Sequence, residues 1–323
     1  MTASYRLIDY SIRPAKHAER KMLCEGFRRL SKFGAVEHYQ YVGFGAIWFA
    51  DFTLFHRALG INRMFCIERE IAHRPRFEFN RPFGGIELMF GHSAQELPKI
   101  NWANRTICWL DYDDPMSLSV LADVRTVATA ASSGSAFVVS VQAQNKPSYE
   151  DGEGELREVE GVERFREVFG AARSPEGLTE RNLTGWNISK LYRDMIVAEI
   201  QETLRTRNLG LPAGNRIRFH QIVSMEYADG AKMATIGGVF VEEGQEATFR
   251  FCDFEGLPFY RATNDALRID IPKLTPKEMR EIEKLLPTEN VDALECNPSP
   301  PSDARSFARL YRYLPSFASF DPN

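Results

Sequence analysis

Short apolar runs alternate with helical patterns through the first part of the chain, and this alternation most limits what the chain can fold into. Apolar positions recur at helical spacing over residues 14–30, 47–59 and 115–131. The strand-like runs between and after them read VEHYQYVGFG, NRMFCIE, GIELMFG, RTICWLDYD and SAFVVSVQAQ. Buried strands that alternate with helices are typical of a parallel sheet joined by crossover helices. The sequence therefore predicts a doubly wound α/β sheet.

The pair Asp229-Gly230 marks a change in this order. It separates two strand-like runs, RIRFHQIVSMEY and AKMATIGGVFVEE. Both turn residues readily adopt positive φ, so the pair predicts a β-hairpin. We expect a mostly parallel, seven-stranded sheet that ends in an antiparallel hairpin. The core of this fold would comprise residues 36–144 and 216–243.

Three further segments surround the predicted core. They are an N-terminal helical segment over residues 1–35, an insertion over 145–215 and a C-terminal helical extension over 244–323. We expect the acidic, glycine-containing start of the insertion to be mobile, and an amphipathic helix over 187–207 to cover a cleft as a lid. In the extension, Thr275 begins the sequence TPKE, which predicts a helix with a capping box.

Composition excludes several classes of protein. The 323-residue chain is 44% hydrophobic with a net charge of −4, which is typical of a globular protein and gives no general attraction to nucleic acid. No apolar run reaches membrane-spanning length, and the first residues are too polar for a secretory signal. The five cysteines are scattered, with no CxxC pair. We expect reduced thiols, no metal site and a cytoplasmic location.

A glycine turn, Gly43-Phe44-Gly45, follows the first predicted strand and opens a helix, so a ligand can approach the backbone there. A dinucleotide site would need a third glycine where Trp48 stands, and no Gly-Lys-Ser/Thr follows for a phosphate loop. Glu68, at the tip of the second strand, is placed to accept hydrogen bonds from a ribose diol. The pattern favours a nucleoside ligand that carries no diphosphate.

These residues resemble the class I methyltransferases that use S-adenosylmethionine. Gly43 and Gly45, with Asp51 in the helix that follows, resemble the glycine motif of that family. Glu68 resembles its acidic residue after the second strand, and the hairpin resembles its last two strands. The resemblance implies S-adenosylmethionine as cofactor. It also implies these cofactor-binding residues: Gly43, Phe44, Gly45, Glu68, His92, Ser93 and Asp111.

Two positions depart from the family pattern. Tyr41 stands where the family usually has an acidic residue, two positions before the first glycine. After its third strand the family often has Asp or Asn near the adenine amino group, and this chain has Gly91-His92-Ser93-Ala94. A serine hydroxyl or a histidine nitrogen could accept that hydrogen bond instead.

A local excess of positive charge lies near the N-terminus, where residues 13–32 carry seven basic residues against two acidic ones. We interpret them as the solvated face of a helix whose apolar side points inward. Because the N-terminal segment often folds over the cofactor in the resembled family, contact of Arg13 or Lys16 with the methionine carboxylate is the alternative to a surface position.

Three carboxylates follow the fourth predicted strand, in the sequence WLDYDDPM. The carboxyl edge of such a sheet holds the ligand, and methyl transfer requires alignment of the acceptor and removal of its proton where needed. We therefore take Asp111 and Asp113 as candidate catalytic residues. Asp114 is interpreted as the N-cap of a helix that begins at Pro115. A divalent cation held by these carboxylates is an alternative that we do not adopt.

The preferred interpretation is methyl transfer to an O or N atom of a small-molecule or macromolecular acceptor. Asp114-Pro115-Met116-Ser117 lacks the second proline and the aromatic residue with which nucleic-acid amino-methyltransferases grip a base, so a nucleic-acid acceptor is disfavoured but stays open. The alternative is a methyltransferase-like module that has lost catalysis and binds a protein partner. A nicotinamide-dependent oxidoreductase is disfavoured by Trp48 and by the final hairpin.

Overall fold

The computed structural model describes residues 13–151 and 155–315. The strands are β1 Gln40–Phe44, β2 Arg63–Glu68, β3 Ile86–Phe90, β4 Thr106–Pro115, β5 Ala136–Gln142, β6 Ser148–Glu150, β7 Leu156–Glu158, β8 Ile217–Asp229, β9 Ala231–Glu242 and β10 Leu267–Ile269. The α-helices are α1 Pro14–Arg28, α2 Ala50–Leu59, α3 Arg74–Asn80, α4 Ser93–Glu96, α5 Leu118–Ala130, α6 Gly161–Phe169, α7 Asn187–Arg207, α8 Glu246–Phe251, α9 Pro276–Glu283 and α10 Pro301–Leu310.

The main sheet has the strand order β3-β2-β1-β4-β5-β9-β8-β10. Strands β1 to β5 are parallel, β9 runs antiparallel to both β5 and β8, and β10 pairs in parallel with β8. This order confirms the predicted doubly wound sheet and its final hairpin, which turns at Gly230 with a φ of +92°. The pattern did not predict the eighth strand, β10, because three residues carry too short a periodic signal.

Each strand places alternate side chains in two apolar layers, one on each face of the sheet. In β4, Trp109 packs into the layer that contains α1 and α2, and its neighbour Leu110 packs into the layer that contains α5 and α7. Parallel strands buried on both faces read as continuous apolar runs. The carboxyl ends of β1 to β5 therefore meet at one edge of the sheet, where polar residues follow the strands.

Two helix starts lie later in the chain than the sequence predicts. Helix α2 begins at Ala50 rather than at residue 47, because Phe49 adopts a left-handed φ of 44° and Trp48 stands exposed in the turn before it. Helix α5 begins at Leu118, and its N-cap is Ser117.

The prediction that Asp114 caps a helix at Pro115 is wrong. Strand β4 stays extended through Pro115, which still pairs with Gln142 of β5. The Asp114 carboxylate instead accepts a hydrogen bond of 3.2 Å from Arg69, at the end of β2. The backbone stays extended at Asp114 and Pro115, and no helix begins there, because β4 pairs with β5 as far as Pro115.

The predicted helix 187–207 is confirmed as α7. It packs against α5, β8 and β9, so it forms part of the helical layer, and a role as a lid stays a prediction. None of the described helices, α7 included, combines the length and apolarity needed to cross a membrane. The expected mobility at the start of the insertion concerns a stretch that includes residues 152–154, which lie outside the described residues; on either side of them, β6 pairs with β7.

The C-terminal extension contains a small core of its own. Helices α9 and α10 pack together around Ile282 and Phe307. Helix α9 begins with the predicted capping box, in which Thr275 and Glu278 exchange hydrogen bonds, and Pro276 occupies the first helical position. This element was readable from sequence because every contact that defines it lies within four residues.

Helix α1 buries part of its charge, so the interpretation of residues 13–32 as a solvated basic face is wrong for Arg13, Lys16 and Arg20. Basic residues toward the end of the segment, Arg28 and Lys32 among them, are exposed as expected. Lys16 and Glu19 are 1% and 0% exposed, and their side chains form an ion pair of 2.8 Å beneath the helix. Lys16 Nζ lies 4.3 Å from the ring centre of Trp109 and 2.6 Å from Asp111 Oδ1. The charged groups of Lys16 and Glu19 therefore face the sheet rather than solvent.

The Glu19 carboxylate has partners on both of its oxygens. Tyr227 of β8 donates to Oε2 at 3.0 Å, and Thr235 of β9 donates to Oε1. Lys16 Nζ contacts Oε2 from the other side. A buried ion pair is tolerated when its remaining hydrogen-bonding capacity is met, and removal of one partner leaves an uncompensated charge.

Replacing Lys16 with Met tests this arrangement. The variant leaves the Glu19 carboxylate buried without a cation, so we expect the free energy of unfolding to fall by about 3–5 kcal/mol, measured by urea denaturation. Lys32→Met removes an exposed lysine just beyond α1 and is the matched control, with an expected change within about 0.5 kcal/mol. Equal stability of the two variants would contradict the account.

Candidate active site

The backbone after β1 lies close to the end of β2. The N–H of Gly45 donates to the carbonyl of Ile67 at 2.7 Å. A Cβ atom on Gly45 would lie 2.9 Å from Glu68 Oε2 and 3.0 Å from Cys66 Sγ, both too close for an ordinary contact. Glycine at this position therefore allows the Glu68 carboxylate to approach the turn.

The first glycine of the turn, Gly43, has a different neighbour. A Cβ atom there would lie 2.5 Å from the hydroxyl of Tyr41, which donates to Asp51 Oδ2 at 2.6 Å. Burial, followed by the Asp51 carboxylate, raises the pKa of Tyr41 well above its ordinary value, so the hydroxyl stays a donor. The tyrosine that departs from the family pattern thus has a structural partner, and contact of Gly43 with a cofactor stays a prediction.

Asp51 lies in the first turn of α2, the helix end at which we expect backbone N–H groups to face a ligand. A carboxylate at a helix N-terminus complements the positive end of the helix dipole. A diphosphate at the same place would face that carboxylate. A ligand without a diphosphate stays a prediction.

Glu68 is 8% exposed at the end of β2. Its Oε1 accepts the N–H of Glu70 at 2.8 Å, and its Oε2 is the atom nearest the Cβ position of Gly45. Burial raises the pKa of Glu68 to about 7. A desolvated carboxylate gains from hydroxyl donors, so a ribose diol over the glycine turn fits the residues present.

The end of β3 lies beside the end of β2, because the N–H of Gly91 donates to the backbone carbonyl of Glu68 at 3.0 Å. His92 is exposed immediately before α4, and Ser93 is partly exposed in its first turn. The hydroxyl of Ser93 donates to Oδ2 of Asp123. His92 and Ser93 are thus brought to the same edge as Glu68.

Asp123 is a polar residue that sequence reasoning missed. It lies on α5, is 1% exposed and also accepts the hydroxyl of Tyr112 at 2.8 Å. Burial raises its pKa, against the effect of the hydrogen bonds from Ser93 and Tyr112. The sequence signal that could have identified Asp123 is its position as a single carboxylate on the apolar face of the helix Leu118–Ala130.

Asp111 is held by the buried lysine of α1. The ion pair between Lys16 Nζ and Asp111 Oδ1 measures 2.6 Å, and the two side chains are 1% and 28% exposed. The backbone N–H of Lys16 donates to Asp229 Oδ2 at 2.8 Å, which fixes the start of α1 to the final hairpin. A ligand at this edge would therefore reach Asp111 while Lys16 stays covered.

Asp113 is exposed, two residues beyond Asp111 on the same strand. Its carbonyl accepts a hydrogen bond of 3.1 Å from the side chain of Gln142. The next residue, Asp114, forms the ion pair with Arg69 that joins the ends of β4 and β2, with β1 between them. Both side chains of that ion pair are exposed, so it contributes at most about 1 kcal/mol and a ligand can displace it.

Other features of the molecule lie away from this edge. Among residues 13–151 and 155–315, no group of three or more His, Cys, Asp or Glu side chains is arranged to hold a metal ion. Two cavities of about 450 Å³ lie elsewhere, one at the amino edge of the sheet near Arg105 and one beside the C-terminal extension near Tyr313. Neither cavity is lined by the predicted residues at the carboxyl edge of the sheet.

Comparison with known proteins identifies the family of the chain. A family model described as "Putative O-methyltransferase" matches residues 8–322. The search of curated proteins gives no match. Solved structures with a similar fold include PigF with SAH, at 14% identity over 69% of this chain and 63% of that chain, with a TM-score of 0.31.

Two further solved structures are similar. They are Trm1 from Pyrococcus horikoshii with S-adenosyl-L-methionine (11% identity, 71% of this chain and 57% of that chain, TM-score 0.45) and TomG from Streptomyces achromogenes with SAM (12% identity, 67% and 79%, TM-score 0.34). The chain covers less than two thirds of PigF and of Trm1.

The family model spans nearly the whole chain. The resemblance read from the glycine turn, Glu68 and the hairpin is confirmed. The chain belongs to this O-methyltransferase family, among the class I methyltransferases that use S-adenosylmethionine.

Proposed function

We propose that the protein transfers a methyl group from S-adenosylmethionine to an oxygen atom of an acceptor. The observation that carries the proposal is the desolvated Glu68 carboxylate held against the backbone of Gly45. When bound, S-adenosylmethionine supplies an electrophilic methyl group. The description of the family supports oxygen as the acceptor atom. A small molecule or a macromolecule could carry it.

The proposed cofactor-binding residues have distinct tasks. Glu68 accepts the ribose hydroxyls above the turn Gly43-Phe44-Gly45. His92 and Ser93 face the adenine. Asp111, held by Lys16, binds the methionine ammonium group, because Asp111 is the accessible member of that ion pair.

The acceptor oxygen must lose a proton as it gains the methyl group, and Asp113 is our candidate for the base. It is exposed near the end of β4, two residues after Asp111. Asp111 is engaged by the ammonium of Lys16, so its main task is alignment. Alignment of donor and acceptor is the larger part of catalysis in such a displacement.

The pH dependence of cofactor-product binding tests the role of Glu68. Because burial raises the pKa of this carboxyl to about 7, it is protonated below that pH in the free protein. Hydroxyl donors favour the ionised form, so the affinity for S-adenosylhomocysteine should fall as the pH decreases from 7 to 5. Well below pH 7, the dissociation constant of S-adenosylhomocysteine should rise by about tenfold for each pH unit, measured by titration calorimetry.

Glu68→Gln provides the control, because an amide does not titrate. We expect this variant to bind S-adenosylhomocysteine more weakly at pH 8 and to lose the fall in affinity between pH 7 and 5. A wild-type affinity that does not change with pH, or an equal slope in the variant, would remove the support for Glu68.

Gly45→Ala tests the close approach of the turn to Glu68. The added Cβ would lie 2.9 Å from the carboxylate oxygen, so we expect the carboxylate to move and S-adenosylhomocysteine binding to weaken by about tenfold, or ~1.4 kcal/mol. Gly84→Ala is the matched control, because nothing lies within 4 Å of a Cβ there and its affinity should equal the wild type. Unchanged binding in Gly45→Ala would count against the proposed site.

A further inference from the structure

Two hydroxyl groups at the carboxyl edge of the sheet donate to one buried oxygen atom. Ser93, after β3, and Tyr112, near the end of β4, both donate to Oδ2 of Asp123. The Asp123 side chain is 1% exposed, and its Oδ1 atom has no hydrogen-bond partner among the described residues. A buried carboxylate is costly, so its position on an otherwise apolar helix face needs a reason.

The hydrogen bond to Asp123 determines what Ser93 can offer to a ligand. A serine hydroxyl has one proton and two lone pairs. In this structure the proton of Ser93 points inward to the carboxylate. The partly exposed oxygen therefore presents only lone pairs outward, and it can accept a hydrogen bond but cannot donate one.

Ser93 lies at the carboxyl edge of the sheet, just beyond the end of β3 and next to the end of β2 that carries Glu68. The N–H of Gly91, two residues before Ser93, donates to the carbonyl of Glu68. A nucleoside with its ribose on Glu68 would extend its base toward this part of the edge. An oxygen that can only accept a hydrogen bond recognises an amino group on a purine. The same oxygen repels a carbonyl oxygen at that position.

We propose that Asp123 is a positioning residue that makes Ser93 an acceptor for the amino group of the bound base, so that the site selects adenine over hypoxanthine. The inference rests on the proposed function, because it concerns the base of the same cofactor. In this arrangement, Ser93 takes the place of the Asp or Asn that the resembled family often has after its third strand, and the Asp123 carboxylate from α5 orients the Ser93 hydroxyl. A purely structural tie between α4 and α5 would give no such selectivity.

The test compares two probes, S-adenosyl-L-homocysteine and S-inosyl-L-homocysteine, which differ in having an amino group or a carbonyl on the base. Titration calorimetry gives the ratio of their dissociation constants. We expect the wild type to prefer the adenosyl compound by about tenfold to a hundredfold, because the inosyl carbonyl would face an acceptor. In Ser93→Ala the preference should fall below about threefold.

Asp123→Asn reverses the polarity of the bond at nearly constant size. Its amide can donate to the Ser93 oxygen, so the serine hydroxyl can turn outward and donate its proton to the inosyl carbonyl. We again expect a preference below about threefold. Circular dichroism melting monitors folding, and Ser93→Ala keeps the inference testable if Asp123→Asn does not fold.

Two controls match these changes. Ser119→Ala alters an exposed serine on the first turn of α5, and Tyr112→Phe removes the other donor to Asp123 but leaves the Ser93 bond. Both should keep the wild-type preference. Retention of the preference in Ser93→Ala or in a folded Asp123→Asn would overturn the inference and leave the proposed function intact. Failure of the wild type to bind the adenosyl compound would overturn both.

Discussion

The close contact between the Glu68 carboxylate and the turn after β1 is the constraint on which the site depends. The carboxylate approaches because Gly45 has no side chain, and the N–H of Gly45 continues the pairing of β1 with β2. Removal from water leaves the carboxyl with a pKa of about 7, so the group is only partly satisfied by the protein. In the proposed site, the two hydroxyls of a ribose would donate the hydrogen bonds that the buried carboxylate lacks.

A second constraint joins the N-terminal helix to the same edge. Lys16 bridges Glu19 and Asp111, and Glu19 is in turn held by Tyr227 and Thr235 on the last two antiparallel strands. The orientation of Asp111 therefore depends on groups from α1, β8 and β9 as well as on its own strand. This arrangement makes the N-terminal segment part of the candidate site, although it precedes the α/β core in sequence.

The parts of the fold that the sequence predicted are those defined by local pattern. Alternating apolar runs indicated the parallel sheet, Asp229-Gly230 indicated the hairpin, and the capping box at Thr275 indicated α9. Each signal lies within a few residues, and the physics that produces it acts at that range.

The parts that the sequence did not predict are contacts between distant residues. Lys16 and Asp111 are 95 positions apart, and Ser93 and Asp123 are 30 apart. A lysine on a helix with many basic neighbours reads as solvated, and only the packing of α1 on the sheet shows that it is buried. Tyr41 departs from the family pattern, and its hydrogen bond to Asp51 in α2 could not be predicted from the sequence.

A crystal structure of the chain with S-adenosylhomocysteine tests the central claim most directly. The account predicts that both ribose hydroxyls lie within hydrogen-bond distance of Glu68, above Gly45, and that the Arg69–Asp114 ion pair is displaced if it obstructs the nucleoside. A ligand bound at another edge of the sheet, or a Glu68 side chain turned away from the ribose, would contradict it.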